Sequence, residues 1–367
     1  MVIDSLVNAG AQRQFVNLAI GLSEKQHNVK IFMYHPKYDL LPELEQAGIE
    51  YVECKKKGRF DFRPVYKLYQ EARLFAPAVV ISFLRTPSVY AELVSIFVPK
   101  FKLIVSERSN VFGNALSLGD VASGYAHYIS DHVTSNSHDY KNHLVKRVPW
   151  LKKKTSVIYN GVNSKFLEAY RKNTVSKEKG LTKFVVVSAR CESAKGALIL
   201  ALALKELHQQ GAIDFSVDWI GGVNFDSDYV QSVVAVLAEN NLTEHWNWSG
   251  KVADVSVVLP HYDALVSSSL REGVSNSTCE AMAIGLPVLV SDISDNAEIV
   301  QSGVQGFVFK SGDASALCQC LLSYMQLDFS QRLQMSKLAN VRAIELFTMT
   351  KLINDWEALC QSLVGDA

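Results

Sequence analysis

Two glutamates eight residues apart, Glu272 and Glu280, stand in the run SSSLREGVSNSTCEAMAIGLPVLVSD, which extends from Ser267 to Asp292. A carboxylate accepts two hydrogen bonds side by side and so suits a pair of neighbouring sugar hydroxyls, such as a ribose diol. The spacing alone also suits two unrelated surface acids, and it is the surroundings that are specific. A strand ends near Ser269, Gly273 permits a tight turn, and Ser275 or Asn276 can cap a helix that runs through Ala281 and Met282 to Gly285, before Pro287 opens the next strand. A helix start in that position aims free backbone N–H groups at the end of a sheet, where its dipole favours a diphosphate. Glu272 precedes the helix and Glu280 lies about a turn and a half inside it, so both can border one small pocket with separate tasks.

Upstream, SARCESAKG (Ser188 to Gly196) places Arg190 and Lys195 just after a strand. Two cations at a strand's carboxyl end can hold both phosphates and neutralise the charge on a departing nucleoside diphosphate, with no divalent metal required. The same pair also fits an ordinary solvated loop. Two basic clusters follow the same ambiguity. Lys55, Lys56, Lys57 and Arg59 lie in KKKGRFDFR, and Lys146, Arg147, Lys152, Lys153 and Lys154 in KNHLVKRVPWLKKK beside Trp150. Each is either a solvated face or a surface for anionic lipid or a lipid-linked diphosphate. Through Lys165 the chain carries 22 Lys+Arg against 14 Asp+Glu, which leaves 15 against 23 of the 37 of each sign for the rest.

The elements that must position these residues alternate. A short strand (Val2, Ile3), a turn (Asn8, Ala9, Gly10) and a helix with Phe15, Leu18, Ala19 and Leu22 at helical spacing lead into VKIFMY. Strand-like runs recur at Ala78–Leu84, Lys102–Glu107, His132–Ser137 and Thr155–Gly161, and again at Phe184–Arg190, Ser216–Gly222, Tyr262–Ser269, Pro287–Asp292 and Gly306–Lys310. Helical stretches separate most of them, which predicts two doubly wound parallel sheets of the α/β class. The expected domains are 1–165 and 166–345, with a charged linker at about 164–183 and a last helix, 346–367, that caps the second domain or crosses back to the first. Ligands of such sheets bind beyond the carboxyl ends of the strands, which predicts a cleft between facing loops. A first strand of two or three residues is short for a sheet centre and suggests that a few residues are missing or that translation starts elsewhere.

Composition narrows the class further. A chain of 367 residues, 48% hydrophobic and 20% charged, reads as a folded protein of two domains and not as a disordered one. No run reaches the roughly 18 apolar residues of a membrane span, and the N-terminus lacks a basic region ahead of an apolar core. A cytoplasmic protein is expected, with a peripheral place on the inner face of the cell membrane if the basic surfaces meet lipid. The six cysteines show no C-x-x-C pair and read as reduced, and the nine histidines show no metal-ligand spacing. Neither a metal nor a nucleic-acid partner is expected.

Taken together, NAGAQRQ, VIYNGVN, SARCESAKG, WIGG, REGVSNSTCEAMAIGLPVLVSD and GVQGFVF resemble, in order and spacing, family 4 of the nucleotide-sugar glycosyltransferases, which have the GT-B fold. The resemblance covers nearly the whole chain and is tightest in the second half, where an E-x7-E pattern falls on Glu272 and Glu280. It implies that Glu280 binds the ribose hydroxyls and that Glu272, with the backbone of Gly273, Val274, Ser275 and Asn276, faces the donor sugar and its phosphates. It implies that Arg190 and Lys195 grip the diphosphate, that Gly222 of WIGG borders the donor, and that Gly10 and Ala11 approach the phosphates from the other domain. Many members carry a histidine near the donor sugar in the first domain, whereas IVSERSNVFG (Ile104 to Gly113) has none. There Arg108 is expected to bind phosphate or acceptor, and Glu107 to hold the acceptor hydroxyl or orient Arg108. The family is retaining, which with no well-placed nucleophile favours front-face attack assisted by Arg190 and Lys195. A uridine diphosphate sugar, an N-acetylhexosamine by preference, and a growing lipid-linked glycan of a surface polysaccharide are the substrates it implies.

Three other classes share parts of this pattern. A dehydrogenase would need a G-x-G-x-x-G after a first strand, and neither half has one. A nucleotide-sugar 2-epimerase shares the fold and a donor-like site, but its single buried substrate fits poorly with a basic first half. A two-lobed solute-binding protein would close on a ligand without chemistry, and its expected signal peptide is missing.

Overall fold

The computed structural model describes residues 1–58, 61–98, 100–108, 127–171 and 180–365. The chain forms two units: Met1–Gly161 together with Met349–Ala367, and Val162–Thr348. In the first unit the strands are β1 (Lys30–Met33), β2 (Glu50–Glu53), β3 (Val79–Phe83), β4 (Lys102–Glu107), β5 (His132–Ser135) and β6 (Thr155–Val157). All described pairings are parallel, β1 with β2 and β3 through β6 in sequence order. Val2 bridges both Phe32 of β1 and Ser82 of β3, so the short first strand joins the two groups. Because the chain leaves Val2 toward β1 and returns to β3 on the other side, this unit has its topological switch where Gly10 opens a helix.

That helix, Gly10–Glu24, buries Phe15, Leu18, Ala19 and Leu22 as its 3.6-residue period predicts. Its partner on that face is the last helix, Met349–Gly365, whose Leu352 and Trp356 enter the same core as Phe15 and Phe83. Gly21 lets the two approach, since a Cβ there would lie 2.1 Å from Ile353 Cδ1. The C-terminal helix therefore belongs to the first unit.

In the second unit the strands are β7 (Thr182–Arg190), β8 (Phe215–Gly222), β9 (Trp246–Gly250), β10 (Ala264–Ser267), β11 (Val288–Ser291) and β12 (Gly306–Phe309), in the order β12-β11-β10-β7-β8-β9. β10 and β11 are buried along their whole length, as strands covered on both faces must be. Winding from β7 through β8 to β9 and then back to β10 puts the switch point between β7 and β10. The loops that follow those two strands carry SARCESAKG and SLREGVSNS.

Where composition suggests a linker at 164–183, Ser164–Arg171 is a helix of the second unit, and the chain changes unit at Gly161–Val162. Lys165 and Glu168 are exposed, but Phe166 is buried, and a Cβ on Gly285 would lie 2.6 Å from the Tyr170 ring. An amphipathic helix docked on another element thus accounts for a composition that reads as a linker. Residues 172–179 lie outside the described residues.

Trp356 supplies the firmest test of the C-terminal helix. Its ring is fully buried, 5.7 Å from that of Phe83, and its Nε1 has no hydrogen-bond partner. Trp356→Ala is expected to cost about 3–5 kcal/mol in urea unfolding, while Trp356→Phe, which also removes the orphaned N–H, costs much less.

Candidate functional site

The second unit brings two loops into contact at its switch point. Leu270 N donates to Ala194 O at 2.8 Å and Ser268 Oγ to Lys195 O at 3.2 Å. Gly196 makes the approach possible: its φ is +69°, and a Cβ would lie 1.8 Å from Ser268 O. Gly221 does the same beneath β7, with a φ of +144° and a would-be Cβ 1.6 Å from Ser188 O, beside a register shift between Val187 and Arg190. The neighbouring Gly222 is the less constrained of the two, with a would-be Cβ 3.0 Å from Ala189 O. Backbone, not side chain, sets the floor of the site.

On this floor Lys195 Nζ donates to Glu272 Oε1 at 2.5 Å, and Ser269 Oγ to Glu272 Oε2 at 2.9 Å. Lys195, Ser269, Glu272, Ser275 and Ser277 line a narrow cleft between the ends of β7 and β10. The helix Asn276–Ile284 begins there with Ser275 at the N-cap, yet the Ser275 side chain caps no backbone N–H and instead meets Ser277 Oγ at 2.9 Å. The expected cap is thus present in position and absent in bonding. Gly273 and Val274, both buried, complete the turn from Glu272. Arg190 stands apart from this cluster, largely exposed and 3.1 Å from Glu192.

Glu280, one turn into that helix, is half-buried and accepts no hydrogen bond or ion pair among the described residues. Burial pushes its pKa up to about 7, with the Lys165 ammonium acting in the opposite direction and Asp254 adding to the rise. Lys165 is itself paired with Asp254 at 2.9 Å. Two glutamates eight residues apart therefore differ in state: one carboxylate is held by a cation and a hydroxyl, and the other has no hydrogen-bond partner among the described residues.

The first unit arranges its candidates differently. Gly10 and Ala11 form the first turn of the helix at that unit's switch point, with no side-chain cap. Glu107, at the end of β4, is buried, and its two oxygens accept from His127 Nε2 at 2.8 Å and Tyr140 Oη at 3.3 Å. His127 Nδ1 meets Glu92 Oε1 at 2.6 Å. Burial opposes the imidazolium, but the two carboxylates outweigh it and raise its pKa to about 9. Glu107 is therefore one wall of a buried charge cluster and is not presented to an acceptor, a correction to the sequence expectation. Arg108 donates to Ser106 Oγ at 3.0 Å and to Asn160 Oδ1, and its guanidinium lies 4.4 Å from the Phe83 centroid. Burial lowers its pKa, yet a guanidinium stays charged at physiological pH. Among these described partners Glu107 does not orient Arg108. Ser109 and Asn110 lie outside the described residues.

The basic clusters separate as well. Lys56 is drawn inward, donating to Tyr90 Oη at 2.6 Å, while Lys55 and Lys57 are exposed and Arg59 lies outside the described residues. Lys154 is also structural: its ammonium donates to the carbonyls of His127, Tyr128 and Ser130 at 2.7, 2.9 and 2.6 Å, and burial lowers its pKa. It is corrected out of the surface group, which retains Lys146, Arg147, Lys152 and Lys153. His127 and Glu92 sit in no sequence motif, and Ser269 carries no sequence signal beyond its place after a strand.

Known proteins agree with this architecture. Residues 8–166 match the family described as Glycosyltransferase Family 4 and residues 182–326 that described as Glycosyl transferases group 1. An Escherichia coli UDP-Gal:alpha-D-GlcNAc-diphosphoundecaprenol alpha-1,3-galactosyltransferase is 31% identical over 177 residues, covering 46% of this chain and 44% of its own. The amylovoran biosynthesis glycosyltransferase AmsK of Erwinia amylovora is 42% identical over 147 residues, 38% of this chain and 35% of its own. The matches span from 20% to 60% of the length of such curated relatives. The solved structure of Anabaena HepE in complex with UDP superposes with a TM-score of 0.84 over 98% of both chains at 18% identity, which establishes the GT-B fold.

The isolated carboxylate makes a thermodynamic prediction. With a folded pKa of about 7 against 4.5 unfolded, the native state holds the Glu280 proton more tightly, so stability falls as pH rises through that window. Glu280→Gln is expected to remove this slope and to raise stability above pH 7 by about 2 kcal/mol, read from urea unfolding at a series of pH values.

Proposed function

Because this chain belongs to the family 4 glycosyltransferases, we propose that it moves a sugar from a uridine diphosphate sugar to a growing lipid-linked glycan in surface-polysaccharide synthesis, with retention at the anomeric carbon. The observation that carries the donor site is Glu280, a half-buried carboxylate without a hydrogen-bond partner among the described residues, one turn inside a helix whose start has no side-chain cap. A ribose diol supplies the two hydroxyl donors this carboxylate lacks. The first-turn N–H groups and the helix dipole then suit the diphosphate.

On this reading the Lys195–Glu272 pair holds the site until the donor arrives. Phosphate oxygens replace the Glu272 carboxylate on Lys195, and Glu272 turns to the hydroxyls of the donor sugar. Arg190, exposed and paired only with the exposed Glu192 among the described residues, adds a second cation to the diphosphate. In the transfer step the bond between the anomeric carbon and the β-phosphate oxygen breaks, and the acceptor oxygen bonds to the same face of that carbon. The acceptor proton passes to the leaving phosphate oxygen, whose charge Lys195 and Arg190 stabilise. This chemistry calls on no divalent metal. The uridine base and the diphospholipid acceptor are supported by the Escherichia coli relative, a UDP-Gal:alpha-D-GlcNAc-diphosphoundecaprenol galactosyltransferase, and by the UDP bound to the Anabaena protein.

Lys195→Ala and Glu280→Ala are each expected to lower sugar transfer about a hundredfold while leaving far-UV circular dichroism unchanged. UDP should raise the melting temperature of the native chain, and this shift should vanish in Glu280→Ala. Undiminished turnover in either variant would overturn the donor-site assignment.

A further inference from the structure

The first unit holds an acid whose bonding is half complete. Asp4 follows Val2 and Ile3 at the carboxyl end of the short first strand, at the switch point of that unit. Its backbone carbonyl accepts from Tyr34 N at 3.2 Å and from His35 N at 2.8 Å, which fixes the residue against the end of β1. On the side chain, Oδ1 accepts from Ser5 N at 2.6 Å, Ser5 Oγ at 3.2 Å and Gln12 Nε2 at 3.2 Å. Ser5 and Gln12 are themselves buried. Oδ2 accepts no hydrogen bond and forms no ion pair among the described residues, and it is not sealed from solvent.

The other acids that end strands of this unit are already engaged. Glu53 of β2 accepts from Tyr38 Oη at 2.8 Å, and Glu107 of β4 is held by His127 and Tyr140. Asp4 differs in having one oxygen saturated and the other open. Three donors on Oδ1 leave the carboxylate no freedom to turn, so Oδ2 presents its lone pairs in a set direction. A solvated surface acid needs no such fixing, whereas a binding group gains from being held before its ligand arrives. Parallel sheets take their ligands beyond the carboxyl ends of the strands at the switch point, where Asp4 stands. Charge then selects the ligand: a carboxylate repels a phosphate and accepts from a hydroxyl.

We propose that Asp4 is an acceptor-binding residue, whose Oδ2 accepts a hydrogen bond from a hydroxyl of the acceptor sugar and so sets how that sugar offers its reacting oxygen. Gln12, which holds Oδ1 through its amide, is a positioning residue for this contact. The inference rests on the sugar-transfer reading and gives Asp4 the task that Glu107, bound to His127, does not perform.

The test offers UDP-galactose, UDP-glucose and UDP-N-acetylglucosamine with N-acetylglucosaminyl diphosphoundecaprenol as acceptor, and carries forward the donor that the full chain turns over fastest. Asp4→Asn keeps an oxygen toward Ser5 and Gln12 and exchanges Oδ2 for an amide NH2. It should lower kcat/KM for the acceptor at least about tenfold, and Asp4→Ala further still. The melting temperature of Asp4→Asn, its rise on adding UDP, and the hydrolysis of the UDP-sugar without acceptor should all match the parent chain. Gln12→Ala should lower the same acceptor constant, by less than Asp4→Asn does. Glu53→Gln, the control at the end of β2, should leave it unchanged. An unchanged acceptor kcat/KM in Asp4→Asn overturns the inference alone. So does a loss accompanied by a lower melting temperature or by a lost response to UDP, since either assigns Asp4 to the fold or to the donor. A parent chain that transfers sugar from none of these donors overturns the sugar-transfer reading and this inference together.

Discussion

The site of the second unit depends on one close approach, that of Gly196 to the carbonyl of Ser268. No other residue type fits: any side chain would collide with the carbonyl, and the φ of +69° is one that glycine adopts without strain. The contact joins the loop after β7 to the loop after β10, which the winding order places as neighbours at the point where the chain reverses direction across the sheet. Lys195 and Glu272 come from those two loops, 77 residues apart in sequence, and meet because their backbones are already fastened by Leu270 N and Ser268 Oγ.

Around this scaffold the two units treat buried charge in opposite ways. In the first, Glu92, His127 and Glu107 form a chain in which one imidazolium bridges two carboxylates, and Glu92 Oε2 is left buried without a hydrogen-bond partner among the described residues. In the second, Glu280 is desolvated with only a partial offset from the Lys165 ammonium, and its raised pKa records the cost of that position. A buried polar group without a partner is unfavourable for folding, and a ligand able to supply the missing donors relieves the penalty upon binding. This difference separates the acid suited to binding, one turn inside the helix Asn276–Ile284, from the acid suited to structure at the end of β4.

Much of this was legible in the sequence for local reasons. Periodicity marks the helix Gly10–Glu24, and unbroken apolar runs mark β10 and β11. The order of strand, glycine turn and helix around Glu272 identifies a phosphate-suited helix start, because each feature rests on neighbours within a few residues. Charged composition misled at Ser164–Arg171, whose helix is specified by one buried phenylalanine and by Tyr170 over Gly285.

What only the tertiary structure decided is which groups are already satisfied. Glu107 and Arg108 are adjacent in sequence and look like a working pair, yet one faces His127 and the other Phe83 and Asn160. Lys154 reads as one more surface lysine until the segment 127–130 folds over it and offers three carbonyls. Partners of this kind come from distant parts of the chain, and desolvation arises only once they pack. The sequence therefore determined which residue types stand at the ends of which strands, while long-range packing determined which of their charges remain available to a ligand.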